Sequence, residues 1–208
     1  MPVRNKEKPK KKIKNTTTAQ QEQCSVVAIY YYLNKNMNQQ VNIDKLNQEF
    51  KKIYPKITVS WENTFHNQGK KIADSKYVNG GNGWLYGWWD APPTQVNNAP
   101  FAKAIGGKGN TTTIMTDIWD KYFDKNTKDL FGGQKDSWNT ADMYMVKSNR
   151  VTEILDWVKE LKEEFIGGLC CDPGVFVGTL NTYLTKLIHQ KILLPISLKA
   201  ETKGVAIS

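Results

Sequence analysis

Two short segments place ionisable side chains where apolar strands are expected to begin or end. In the first, Lys135-Asp136-Ser137-Trp138-Asn139-Thr140-Ala141-Asp142 runs into Met143-Tyr144-Met145-Val146, so Asp142 stands where a loop becomes a buried strand. In the second, Leu194-Pro195-Ile196-Ser197-Leu198-Lys199 closes an apolar run on a lysine. An ammonium in a strand must stay hydrated or paired, and a carboxylate on a neighbouring strand is its economical partner. Asp142 and Lys199 are therefore expected to meet, as a structural ion pair or as part of a site. An N-terminal helix carries Gln20, Gln21, Glu22 and Gln23 near its start.

Other chemistry-bearing residues are less convergent. His66 and His189 stand in no metal-ligand spacing, and His189 reads as a helix C-terminal residue. Cys24, Cys170 and Cys171 are odd in number with two adjacent, which suits neither a disulfide framework nor a tetrahedral zinc site and points to a reducing compartment. Gly106-Gly107-Lys108-Gly109 lacks the Gly-Lys-Ser/Thr ending of a phosphate loop and reads as a turn. The glycine-rich stretch around Trp84, Tyr86, Trp88 and Trp89 reads as a long loop or excursion over residues 78–100. Rings in such a stretch stack on bases or pack over the core, and Trp88 and Trp89 are the candidates for stacking.

Charge is concentrated at one end. The net charge is +9, and residues 1–14 hold Arg4, Lys6, Lys8, Lys10, Lys11, Lys12 and Lys14 against Glu7 alone. Such a segment buries too little apolar surface to order itself, so residues 1–15 are expected to form a disordered basic tail. It can be a solvated leader, a phosphate-binding arm or an import signal. No apolar run approaches the ~18 residues that span a bilayer, and no apolar segment follows the lysine-rich start. An intracellular chain, neither inserted in a membrane nor secreted, is expected.

The elements that must position these residues follow from periodicity. Val26, Ile29, Tyr30 and Leu33 line one face of a helix over 18–34, and Asn42 caps a second helix carrying Ile43, Leu46, Phe50 and Ile53. Ile57 to Trp61 alternates as a short strand would. A third helix is expected over 111–123. Val151, Ile154, Leu155, Val158 and Leu161 mark the strongest helical stripe, ending at Gly167-Gly168, and Phe176, Leu180, Leu184, Leu187 and Ile188 mark another starting near Pro173. Strands are expected at 143–146 and 192–198, with an edge strand at 204–207. Residues 16–208 thus read as one α/β domain, a small central mixed sheet flanked by helices.

An acid on an N-terminal helix, an Asp at the start of one strand and Ser-Leu-Lys on a later one resemble the PD-(D/E)XK, or restriction-endonuclease-like, nuclease pattern. Lys135 to Tyr144 with Ser197-Leu198-Lys199 is also similar to uncharacterised proteins of phages and large viruses carrying Trp-Asn-Pro-Ala-Asp-Ile-Trp and Ile-Ser-Leu-Lys strings. The resemblance implies metal-dependent DNA cleavage, with Asp142 as ligand to Mg²⁺ or Mn²⁺, Lys199 orienting the attacking water or stabilising developing charge, and Glu22 as the helix acid. Ser197 departs from it, because the pattern has Asp or Glu there. The second carboxylate must then come from Glu22, Glu201 or Asp136. The rival readings are a non-catalytic nucleic-acid-binding or virion-associated protein on the same fold, and a protein-interaction module with the tryptophan segment as its surface.

Overall fold

A computed structural model describes residues 17–35, 41–89, 113–166 and 172–198. Lys8, Lys10, Lys11, Lys12 and Lys14, together with Lys199, Glu201 and the expected edge strand, lie outside these residues. The described elements run α1 (Thr17–Lys35), α2 (Ile43–Ile53), α3 (Val59–Ala73), β1 (Trp84–Trp88), α4 (Ile114–Tyr122), α5 (Lys125–Asp129), α6 (Lys135–Trp138), β2 (Met143–Lys147), α7 (Val151–Ile166), α8 (Pro173–His189) and β3 (Leu193–Ile196).

Helix starts follow local capping chemistry. The Asn42 side chain accepts from the Lys45 amide at 2.9 Å, and buried Leu46, Glu49, Phe50 and Ile53 follow at helical spacing. Ile57 to Trp61 does not form the expected strand. Thr58 takes extended angles and accepts from the Trp61 amide, so α3 starts at Val59, and buried Glu62, Phe65, Gly69 and Ile72 then recur every third or fourth residue. Gly69 lies against α1 so closely that a Cβ there would stand 2.9 Å from the Ala28 carbonyl and 2.6 Å from Tyr32 Cδ2. At α4, Thr113 and Thr116 form a reciprocal capping box. At α8, Asp172 accepts from the Gly174 amide with Pro173 at the first helical position.

The end of α8 is less usual. Ile192 N–H donates to Leu187 O and Lys191 N–H to Ile188 O, closing a Schellman motif with buried Leu187 and Ile192 as its apolar contact. The residue this motif puts in the left-handed region is Lys191, at φ 56°, where glycine is the unstrained choice.

The three strands pair in the order β1-β2-β3, and both pairings are antiparallel, so the sheet is not the mixed sheet expected. Two helices stand between β2 and β3. An out-and-back helical pair returns the chain to the end of the sheet where β2 stopped, and Lys147 N–H accordingly donates to Ile192 O at 3.0 Å.

Both faces of the sheet are covered. Trp84, Trp88, Met143, Met145, Leu194 and Ile196 share a core with α1, α2 and α3. Tyr144, Val146 and Leu193 share a second core with Trp89, α4, α7 and α8. The two sets alternate along each strand, as the pleat requires. Burial on both faces explains why β2 and β3 read as continuous apolar runs despite antiparallel pairing. Residues 84–88, expected within a loop, form β1 because Trp84, Tyr86 and Trp88 alternate onto the first face.

Candidate functional site

Asp142 sits one residue before β2, and its backbone extends the ladder on both sides. Trp89 N–H donates to Asp142 O at 2.8 Å, and Asp142 N–H donates to Ile196 O at 3.0 Å. The carboxylate turns towards the exit of β3. Its Oδ2 accepts from the Leu198 amide at 2.5 Å and from the Ser197 hydroxyl at 3.4 Å. Oδ1 accepts no hydrogen bond among the described residues. An anion held by an amide and a hydroxyl ties the residue before one strand to the two residues after its neighbour.

Ser197 stands where the nuclease pattern has an acid. At this separation two carboxylates would have to share a proton or a cation. The serine hydroxyl instead donates, so this end of the sheet is neutralised by hydrogen bonds.

Two residues that sequence reasoning did not single out complete the surroundings. Tyr144, 1% exposed, keeps its hydroxyl buried with no hydrogen-bond partner of good geometry among the described residues. Burial pushes its phenol far above the usual tyrosine range, the Asp142 charge adds to the rise, and the Ala141 amide offsets a little of it. Lys135, at the start of α6, donates from Nζ to Trp89 O and lies over the Trp89 indole, 4.9 Å from its ring centre. Because Trp89 N–H is bonded to Asp142 O, this ammonium belongs to the same corner of the molecule. Lysine three residues before Trp138 and aromatic Tyr144 two after Asp142 were the available signals, but neither pattern announces a tertiary contact.

The remaining candidates are placed as follows. Glu22 is half-buried on α1, in the layer against the Met143 and Met145 face, whereas Asp142 shares strand parity with Tyr144 and Val146 on the other. Asp136 is exposed in the first turn of α6. Among the described residues the structure brings Asp142 and Ser197 together, and no group of three His, Cys, Asp or Glu converges. Trp88 and Trp89 are each 2% exposed. Trp89 packs edge-on against Trp138 and Tyr144 and donates from Nε1 to Asn139 O at 3.2 Å. The two rings are core residues, with no face open to a base.

Cys24 is fully buried, and burial pushes its thiol far above the usual range, so it supplies no thiolate. His66 joins three helices: Nδ1 meets the Tyr32 hydroxyl at 3.0 Å and Nε2 meets Asn47 Oδ1 at 2.7 Å. No described helix is long and apolar enough to cross a membrane. No family model, no curated protein and no solved structure matches the chain.

Proposed function

We propose that the chain binds nucleic acid and hydrolyses DNA in a Mg²⁺- or Mn²⁺-dependent reaction at the sheet end that carries Asp142. The observation supporting this reading is the pairing of Asp142 Oδ2 with the Ser197 hydroxyl and the Leu198 amide, which holds the first two residues of the resemblance's Ser-Leu-Lys string against the Asp. Lys199 follows Leu198 directly in the chain. A hard divalent cation is often held by one or two carboxylates, with water and substrate phosphate completing its shell. Asp142 meets the lower limit through Oδ1, and Glu201 is the proposed additional acid. The bound cation would supply a water of lowered pKa and neutralise charge on the phosphate. Asp142 would hold it, Lys199 would position the nucleophile or the developing oxyanion, and Tyr144 with Trp89 would wall the site on its apolar side.

A second reading, a non-catalytic nucleic-acid-binding or virion-associated protein, is favoured by one observation. Ser197 supplies a donor where a second acid belongs, so the Asp142 corner is satisfied without a metal.

Cleavage of single- and double-stranded DNA with Mg²⁺ or Mn²⁺ separates the two. Under the nuclease reading Asp142→Asn abolishes cleavage, because it removes the anionic ligand, while its amide oxygen still accepts from Leu198 N–H and preserves the fold. Lys199→Ala has the same effect on cleavage. Wild-type protein that binds DNA but cleaves neither form with either metal leaves the second reading in place.

A further inference from the structure

At the opposite end of the sheet from Asp142, two lysines from distant parts of the chain reach one exposed tyrosine. Lys76 Nζ lies 5.1 Å and Lys191 Nζ 5.3 Å from the centre of the Tyr77 ring, which is 40% exposed. Neither lysine forms an ion pair among the described residues. Lys147, at the end of β2, is bonded through its backbone to Ile192 and brings a third cation to this end of the sheet. Asp74 is the carboxylate nearby, lining the same polar hollow as Lys76, Asn79 and Asn82. Two ammoniums each about 5 Å from one ring centre lie within about one screening length of each other, roughly 10 Å in 0.1 M salt, and repel. An anion between them is attracted by both.

The backbone adds an independent observation. Lys191 occupies the left-handed position of the Schellman motif that ends α8, a place where glycine relieves strain and lysine does not. The position that costs backbone strain is the one that carries the charge to Tyr77.

From this geometry we infer that Lys76, Tyr77 and Lys191 form a second nucleic-acid contact that takes backbone phosphates between the two ammoniums. The inference rests on the nucleic-acid reading above and extends it to a surface remote from Asp142. The two ends are joined by β2 and the residue before it, five steps from Asp142 to Lys147 that span roughly 17 Å at about 3.4 Å per residue.

The test uses the full chain, with a labelled DNA duplex and a labelled oligothymidylate as probes, and binding measured across a salt series. Lys76→Ala and Lys191→Gly are each expected to flatten the dependence of log affinity on log salt by about 0.9 on the duplex and about 0.7 on the single strand. Lys191→Arg should keep the wild-type slope. Lys191→Gly relieves the left-handed backbone, so its melting temperature should equal or exceed wild type, and misfolding cannot account for its weaker binding. If wild-type protein binds in a salt-dependent way and the Lys76→Ala, Lys191→Gly double variant keeps the same slope, this contact is refuted and the Asp142 reading is untouched. If wild-type protein shows no salt-dependent binding to either probe, the nucleic-acid reading falls, and this contact with it.

Discussion

Replacing Gly69 with alanine should destabilise the protein, against the usual preference of helices for alanine. Gly to Ala in a helix interior stabilises by about 1 kcal/mol. At Gly69 the added Cβ would stand 2.9 Å from backbone atoms of Ala28 and 2.6 Å from Tyr32 Cδ2. Tyr32 is buried and bonded to His66, and the Ala28 carbonyl belongs to α1, so neither yields without lifting α1 from α3. Overpacking of this kind costs about 1–3 kcal/mol, and contact with backbone belongs at the upper end. The net is about 2 kcal/mol of destabilisation, or about 4–8 °C in melting temperature for a chain of this size. Gly178 on α8 is the internal control, because it is exposed and a Cβ there meets nothing within 4 Å. Gly178→Ala should raise the melting temperature by about 2–4 °C. Calorimetric scans of the two variants should move in opposite directions; a Gly69→Ala protein as stable as wild type would refute the close crossing of α1 and α3.

Trp88→Ala and Trp89→Ala should each cost about 3–5 kcal/mol, read as a melting-temperature drop of roughly 6–20 °C, because both rings are enclosed. Loss of single-strand affinity with unchanged melting would contradict their burial. His66 should make stability fall on acidification. Burial lowers its folded pKa, with Glu62 opposing, so the neutral ring is the folded form; its contribution is complete above the unfolded value of about 6.5 and is lost as pH falls through the lower folded value. Thermal unfolding followed from pH 8 to pH 5 should decline more steeply for wild type than for His66→Gln, and parallel curves would sink the assignment.

Helices were the legible part of the chain. Asn42, Pro173 and the stripe from Val151 to Leu161 act through local capping and periodicity, which the chain carries within one or two turns. The strand at Trp84 to Trp88 was hidden because Gly80, Gly81, Gly83 and Gly87 punctuate it as a loop, while its alternating aromatics gain their meaning only against β2. Ile57 to Trp61 alternates like a strand, but Thr58 settled it as a helix start through a single side-chain acceptor. At the site, Asp142 meets Ser197 and Leu198, while the pairing with Lys199 expected from the end-of-strand positions lies outside the described residues. The roles of Ser197 as donor, Lys135 as neighbour and Tyr144 as buried phenol depend on contacts across 46 to 56 positions, which no local pattern encodes.

The sheet is the one layer that both helical layers touch, and its strands are remote from one another in sequence. β1 ends at Trp88 and its partner β2 begins only at Met143. Closing so long a segment costs chain entropy before any strand pairing returns energy, so the sheet is expected to form late and to limit the folding rate. Each helical layer supplies only one wall of the strands. A fragment ending after β1 would present Trp84 and Trp88 on an unpaired edge, and a fragment starting at α4 would leave Met143, Met145, Leu194 and Ile196 without a cover. Each core is completed by the other half, the first by Met143, Met145, Leu194 and Ile196 and the second by Trp89, so the described residues should unfold as one cooperative unit, and a nascent chain released before β3 exposes apolar surface that favours aggregation.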